Sequence, residues 1–326
     1  TMTTGSGGMA LAEASNAFIY ATMLTLTIAM VFFAASFASG RRPSTAKAVA
    51  AGAPASGTSG SGSVAVLDRD HEQPVIDSGR RLANIGMSLT WLSFGLVTVA
   101  LVLRGLWAGR VPWGNMYEFS ISSAWGVLAV FLAMSLRRDL RWLGLFVVIP
   151  TLLTLGLSVT VLYTEAAQLV PALKSYWLVI HVSAAIICAG AFTVAASSAG
   201  LSLVQSRMES RGRAFTGPMA AMPSAEKLRT FTSRLIAFSF PVWTFSVIAG
   251  AIWAENAWGR YWGWDPKETW AFITWVVYAA YLHARSTAGW RGDKASWIAI
   301  LGLVTFLINY FGVNIFVNSL HSYAGV

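Results

Sequence analysis

Apolar residues form long runs along this chain, and the polar and charged residues collect in the segments between them. Eight runs come close to the roughly 20 residues that an α-helix needs to cross the hydrocarbon core of a membrane. A backbone in lipid must satisfy its own hydrogen bonds, so the fold class predicted is all-α: a polytopic integral membrane protein with eight transmembrane helices. The runs lie near 17–38, 83–106, 119–136, 142–163, 176–204, 235–254, 268–287 and 295–317.

The basic residues between the runs predict how the helices are oriented, because Lys and Arg favour cytoplasmic loops. Eighteen of the twenty-three lie in or beside the loops at 39–82, 137–141, 205–234 and 288–294. These loops are therefore expected to be cytoplasmic, with both termini outside. The remaining five belong to the alternate loops: Arg104, Arg110, Lys174, Arg260 and Lys267.

The composition along the chain indicates three segments. Residues 1–38 hold the first helix, which we expect to be retained because no basic residue precedes it, as one would in a signal peptide. Residues 39–82 include an Ala/Gly/Ser-rich stretch and are interpreted as a flexible cytoplasmic linker. Residues 83–326 form a membrane domain of seven helices, with an aromatic loop at 253–270.

Overall composition excludes several classes of protein. The chain is 56% hydrophobic and 11% charged, well below the roughly 25% charge of soluble domains. The net charge of +9 does not indicate nucleic-acid binding, since the basic residues are spread over short loops instead of gathered on one face. Cys188 is the single cysteine, which excludes an internal disulfide or a CxxC redox pair.

The loop before the seventh predicted helix is unusually aromatic. Its core reads "WGRYWGWDPKETW", residues 258–270. One interpretation is an interfacial anchor, as in the aromatic belts of membrane helices. The other is a platform for a flat ligand, because large rigid rings offer apolar area and offset stacking. The tryptophans exceed what an anchor needs: Trp253, Trp258, Trp262, Trp264 and Trp270.

The four histidines have different interpretations. His71 lies among charges in the linker and is expected to be solvated. His181, near the outer end of the fifth helix, and His321, after the eighth, are predicted on the same outer face as the tryptophans. Two histidines and a planar aromatic site suggest a haem, since histidine is a common axial ligand of haem iron. His283 lies about 25 Å along the seventh helix from Pro266, in the inner half of the membrane, where snorkelling beside Arg285 is the alternative.

The sequence "DPKE" at 265–268 has a mechanical interpretation. Asp265 is expected to cap the seventh helix, with Pro266 in its first turn and Glu268 reaching back to the cap. A catalytic pair formed by Asp265 and Glu268 is the alternative, and we consider it the weaker one.

Taken together, these stretches resemble a known family. "WGRYWGWDPKETWAFITW" closely resembles the "WWD" motif of haem-handling membrane proteins, and within them the CcsA/ResC type of cytochrome c biogenesis protein. "VPWGNMYEFS" is similar to the Pro-x-x-Asn-x-Tyr-Glu loop of that type. "WLVIHV" and "NSLHSYAG" resemble the segments with the two external histidines, and "YLHAR" the segment with the intramembrane histidine. The resemblance covers nearly all of residues 83–326.

The resemblance implies roles for individual residues. His181 and His321 would be the axial ligands of an external haem b, and with Asp265 they are the expected catalytic residues. His283 would ligate a second haem within the membrane, which this chain would share with its partner. Trp258, Trp262, Trp264 and Asp265 would line the platform of the external haem. The expected cofactor-binding residues are His181, His321, His283, Trp253, Trp258, Trp262, Trp264, Trp270, Asn115, Tyr117 and Glu118, of which the three histidines bind haem iron.

The resemblance also implies an activity. With a ResB-like membrane subunit, such a protein forms the cytochrome c synthase, or haem lyase, of system II. It transports haem to the extracytoplasmic face of the plasma membrane and attaches it to the CxxCH motif of apocytochrome c. Thiol-reducing membrane or extracytoplasmic proteins are further expected partners. We expect the second ligand of the intramembrane haem to come from the ResB-like subunit, because this chain has no other histidine at that depth.

Three alternatives remain open at the level of sequence. The chain could deliver haem in another maturation pathway, although such relatives have about six helices. It could be a solute transporter with an aromatic interfacial loop, but transporter sites lie near the midplane, whereas the polar residues here lie at the outer surface. It could also be a scaffold for the partner.

Four cations are candidates for contacts to the haem propionates: Arg110, Lys174, Arg260 and Lys267.

Overall fold

The computed structural model of the chain describes residues 6–39, 73–166, 173–212, 222–317 and 320, and these residues form an all-helical bundle without strands. The long helices are α1 (Ser6–Ala38), α2 (Gln73–Ala108), α3 (Met116–Ser135), α4 (Gly144–Thr160), α5 (Tyr176–Ser210), α6 (Ala225–Trp258), α7 (Pro266–Ser286) and α8 (Asp293–Leu307). A 3₁₀ turn (Arg141–Leu143) precedes α4. A π-helical turn (Ile308–Gly312) joins α8 to α9 (Val313–Phe316).

The predicted all-helical, polytopic architecture is confirmed. Within the described residues, seven helical segments are long and apolar enough to span a membrane. The predicted span at 268–287 forms α7, which is helical over 21 residues but is not one of these seven. Several helices extend beyond their apolar runs, because a helix continues into polar sequence when nothing breaks it. In particular, α2 begins at Gln73, so residues 73–82 are helical although we expected them in the linker.

Small residues bring the central helices close together. A Cβ atom on Gly190 of α5 would lie 2.4 Å from the Gly126 carbonyl oxygen of α3, so only glycine permits this crossing. A Cβ on Gly302 of α8 would lie 2.5 Å from the Tyr278 ring of α7. Close approach at small residues is the usual way in which helices pack in membranes. These contacts fix α3, α5, α7 and α8 around the site described below.

The two ends of the bundle differ in their chemistry. At one end, ion pairs join the start of α6 to neighbouring helices: Arg229 pairs with Asp293 of α8, and Glu226 pairs with Arg285 of α7. At the other end lie the loops 109–115 and 259–265, which we call the motif end. The starts of α3, α5 and α7 and the ends of α2, α4, α6 and α8 meet there.

Candidate functional site: an aromatic cavity at the motif end

An open cavity lies at the motif end, and the empty space there, including open solvent at its mouth, is about 1200 Å³. Its walls come from α3, α5, α6, α7 and α8 together with the loops at the motif end. One wall is apolar and includes Val182, Trp243, Val247 and Phe306. The polar and aromatic lining residues are Trp113, Asn115, His181, Trp253, Tyr261, Trp262, Lys267, Glu268, Asn309, Tyr310 and Asn314. The fold thus brings four segments distant in sequence to one site: the loop before α3, the start of α5, the loop before α7 and the segment after α8.

His181 lies in the wall of this cavity with a defined orientation. Its Nδ1 atom is 2.7 Å from the Ser246 carbonyl oxygen of α6. A carbonyl only accepts, so Nδ1 carries the proton and the ring lone pair is on Nε2. A histidine that ligates metal is commonly oriented in this way, through its other ring nitrogen. The local geometry therefore suits His181 to bind an iron atom through Nε2.

Gly250 makes room for the imidazole. A Cβ on Gly250 would lie 2.8 Å from Nδ1 of His181 and 2.9 Å from Cε1. We expect Gly250→Ala to displace the ring from the Ser246 carbonyl and, at the haem site that the sequence predicts, to weaken binding about 10- to 100-fold, the usual cost of losing an outer-shell partner of a metal ligand. Haem titration of the purified protein measures the effect. Gly200→Ala is the matched control, because a Cβ there meets nothing within 4 Å; equal affinities for the two variants would contradict the prediction.

The tryptophans of the motif occupy different positions. Trp253 is only 3% exposed, lines the cavity and packs edge-on against Trp258 at a ring-centroid distance of 4.9 Å. Trp262 also lines the cavity, and its ring meets that of Trp264 edge-on at 5.7 Å. Trp264 is 65% exposed and has a φ of 58°, an unusual backbone conformation for a bulky residue. Trp258, Trp264 and Trp270 are not among the lining residues.

The "DPKE" segment forms the predicted capping box. Asp265 precedes α7 and its Oδ1 atom accepts from the Lys267 amide at 3.0 Å. The Oε2 atom of Glu268 accepts from the Asp265 amide at 3.1 Å and the Gly263 amide at 2.8 Å. The mechanical interpretation is therefore confirmed, and both carboxylates are engaged in holding the start of α7.

Two further contacts tie the motif loop to its surroundings. Arg260 lies across Gly263, with Nη1 3.5 Å from Oε1 of Glu268. A Cβ on Gly263 would lie 1.5 Å from that Nη1 atom, so a larger residue there would displace the Arg260 side chain. The other carboxylate oxygen of Asp265 accepts from the backbone amide of Leu320 at 2.9 Å. The motif thus holds a residue from the C-terminal segment.

The loop at 110–120 is anchored by a buried ion cluster. Arg104 and Glu118 are both fully buried, and the Arg104 Nε atom is 3.1 Å from Oε1 of Glu118. Arg110 binds the same carboxylate, with Nη1 2.7 Å from Oε2. Asn115 caps α3 by accepting from the Glu118 amide at 2.8 Å. Of the three residues predicted in this loop, Asn115 lines the cavity, whereas Tyr117 and Glu118 are buried behind it.

The remaining predicted residues lie elsewhere. His283 is an exposed residue near the far end of α7 and is not among the cavity-lining residues. His321 and His71 lie outside the described residues. The sequence did not single out Asn309, Tyr310 or Asn314, which the π-helical turn and α9 bring to the cavity. A polar Asn-Tyr pair within an otherwise apolar run was the signal that could have indicated them.

Comparison with known proteins agrees with this architecture. The family profile named cytochrome C assembly protein matches residues 113–321. The chain is 38% identical to the cytochrome c biogenesis protein CcsA of Guillardia theta over 256 residues, covering 73% of this chain and 85% of the relative. It is 35% identical to CcsA of Microcystis aeruginosa, covering 73% of this chain and 87% of the relative.

A solved structure shares the fold. The cytochrome c haem lyase CcmF superimposes with a TM-score of 0.61 at 14% identity, over 92% of this chain and 46% of that one. The helix bundle and the cavity together define a polytopic membrane protein with an aromatic-lined cavity at one end. The sequence matches narrow that class: the chain belongs to the cytochrome c assembly protein family, as a biogenesis protein of the CcsA type.

Proposed function

We propose that this chain is the haem-handling subunit of a cytochrome c synthase and that the cavity at the motif end binds the haem that is attached. The observation that carries the proposal is His181, whose ring is held through Nδ1 in the wall of an aromatic cavity, so that Nε2 is the ring atom suited to bind a metal. Haem needs an apolar, aromatic-lined space and an axial imidazole, and both occur here. Trp253 and Trp262 are the tryptophans that line this space.

His321 is the proposed second axial ligand. It follows Leu320 directly in the sequence, and the Leu320 amide donates to Asp265 of the motif. Asp265 therefore has a positioning role: one carboxylate oxygen caps α7 and the other holds the residue before His321. This contact supports a shared site for the motif and the C-terminal histidine.

The proposed reaction needs few groups from the enzyme. Each thiol of the CxxCH motif adds its sulfur and its hydrogen across a vinyl group of haem, so that a thioether forms and no oxidant is consumed. The haem and the apocytochrome supply the reacting groups. This chain supplies orientation and exclusion of water, which is catalysis by positioning. Trp258 and Trp264 pack against the lining tryptophans Trp253 and Trp262, and together with Trp270 they would complete the platform.

A second site is proposed on the outer surface of α7. His283 is exposed there, on the same face as Phe272 and Val276, which are 41% and 43% exposed. We propose that this face contacts a ResB-like subunit and that His283 ligates an intramembrane haem with a histidine of that subunit. The arrangement of basic loops supports placing the cavity on the extracytoplasmic face of the plasma membrane, with both termini outside.

The maturation of a reporter cytochrome tests the proposal. The chain is co-expressed with its ResB-like partner and a CxxCH apocytochrome in a bacterial host that lacks its own maturation system. Trp262→Ala is expected to lower covalently attached haem about tenfold, since the stacking and apolar area of one aromatic ring are worth roughly 1–2 kcal/mol. Covalent haem is measured by staining after denaturing electrophoresis.

The matched control is Trp297→Ala, which removes a tryptophan that is 60% exposed on α8 and outside the cavity. It should mature cytochrome as the wild type does, and an apocytochrome with SxxSH should stay unmodified in both. Full maturation by Trp262→Ala would favour a role of the aromatic loop as an interfacial anchor. Haem transferred without a thioether bond would instead favour haem delivery.

A further inference from the structure

The cavity has a polar side that the axial histidine does not explain. Lys267, Asn309, Tyr310 and Asn314 line it from α7, the π-helical turn and α9, whereas His181 lies in the wall that α5 forms against α6. The ammonium of Lys267 lies 5.9 Å from the ring centroid of Tyr310, which is the neighbour of Asn309 in the chain. Lys267 and an amide side chain therefore meet at one side of the cavity, next to Glu268.

Asn309 is the clearest sign that this side binds a polar group. It is only 6% exposed, and its buried Oδ1 atom has no hydrogen-bond partner among the residues that the structure describes. Buried polar atoms are nearly always paired, and an amide oxygen only accepts, so the missing partner of Oδ1 is a donor such as an ammonium, which leaves the amide nitrogen of the same group to donate to a carboxylate. Asn309 also belongs to a π-helical turn, a feature that is frequent at functional sites. Its amide group offers an acceptor to an ammonium and two donors to a carboxylate.

Of the four cations that could contact the propionates, Lys267 is the one that lines the cavity. Arg110 is engaged with Glu118, and Arg260 lies beside Glu268. Lys174 is exposed and does not line the cavity. The carboxylate of Asp265, two residues before Lys267, already accepts from two backbone amides, one at each oxygen. An ammonium that lines a largely apolar cavity is further stabilised by an anion that enters with the ligand.

We propose that Lys267 and Asn309 form the carboxylate-binding side of the cavity and orient the haem by its propionates. The inference rests on the proposed function, because it assumes that haem is what the cavity holds. A planar molecule with two carboxylates along one edge then has a single preferred orientation: the acidic edge lies at α7 and the π-helical turn, and the iron lies at His181. A fixed acidic edge also fixes where the vinyl groups lie, which matters for a reaction at those groups.

Haem whose two propionates are esterified tests the assignment of the carboxylate-binding side separately from the binding of haem itself. The full chain, purified with its partner and freed of haem, is titrated with iron protoporphyrin IX and with its dimethyl ester. We expect the wild type to bind the diacid roughly 10- to 100-fold more tightly than the ester, the range of a charge-assisted hydrogen bond. Lys267→Met should bring the ratio of the two affinities close to one. Asn309→Asp should lower the ratio as well, because its carboxylate would repel the propionates.

Two controls keep the outcome clear. Lys227→Met removes an exposed lysine at the opposite end of the bundle and should keep the wild-type ratio. At saturating haem, Lys267→Met should give the same iron spectrum as the wild type, because His181 is unchanged; this spectrum shows that the variant is folded.

The possible outcomes separate the two proposals. If the wild type binds diacid and ester equally, the propionate assignment is wrong while haem binding stands. If Lys174→Met removes the preference and Lys267→Met keeps it, the acidic edge lies at Lys174 and our assignment is equally wrong. If neither form of haem binds at all, the proposed function fails and this inference fails with it.

Discussion

Replacing Glu118 by alanine is expected to lower the melting temperature of the protein by about 10 °C, a larger loss of stability than we expect from any other single substitution at the motif end. Glu118 and Arg104 are both fully buried, and Arg110 and the Gly114 amide bind the same carboxylate. Removing one partner of a buried ion pair leaves an uncompensated charge, which costs roughly 3–5 kcal/mol. The loop that carries Asn115 into the cavity would lose its anchor.

The single cysteine provides the measurement. Cys188 is completely buried in α5, so a thiol-reactive fluorophore labels it only when the bundle opens on heating. Glu165→Ala is the matched control, because it removes an exposed carboxylate near the same end. Its labelling curve should match that of the wild type. If Glu118→Ala also gave the wild-type curve, the ion cluster would not be what anchors the loop.

Replacing His181 by alanine is expected to reduce covalently matured cytochrome by more than about 100-fold. The substitution removes the proposed ligand itself, whereas loss of an outer-shell partner alone costs about 10- to 100-fold. It also leaves the Ser246 carbonyl without its donor. The reporter system with haem staining measures this yield.

The matched control for this prediction is on the same helix. Ser183 lies two residues further along α5, and its hydroxyl group only donates to the Val179 carbonyl at 2.7 Å. Ser183→Ala should mature cytochrome at the wild-type level. A His181→Ala variant that retained substantial maturation would show that this histidine is not an essential ligand, and the cavity would need another interpretation.

The sequence predicted the parts of the fold that local physics decides. Apolar runs of the right length became helices, because lipid leaves the backbone no other way to satisfy its hydrogen bonds. The "DPKE" segment became a capping box, since its contacts all lie within a few residues of Asp265. Helix ends were predicted less well: hydropathy reports only the part in lipid, whereas α1, α2 and α5 continue into polar sequence.

Which residues line the cavity depends on contacts between distant segments, and no local sequence pattern reveals these contacts. In the sequence, Arg104 is interpreted only as one of the basic residues that report helix orientation. In the structure its side chain is buried against Glu118, fourteen residues further along the chain. Glu118 and Tyr117 were expected at the cofactor, and the structure places them behind the cavity wall, where they support Asn115. Asn309 reaches the cavity through a π-helical turn, which hydrophobic periodicity cannot distinguish from α-helix.

The most direct test of the account is the optical spectrum and haem content of the wild-type chain purified with its partner, compared with a His181→Ala/His321→Ala double variant. With two haems in the complex, we expect a reduced low-spin spectrum in the wild type and loss of about half of the bound haem in the double variant. The haem that remains should depend on His283. Equal spectra and equal haem content in the two preparations would contradict the claim that the cavity at the motif end holds a haem through these histidines.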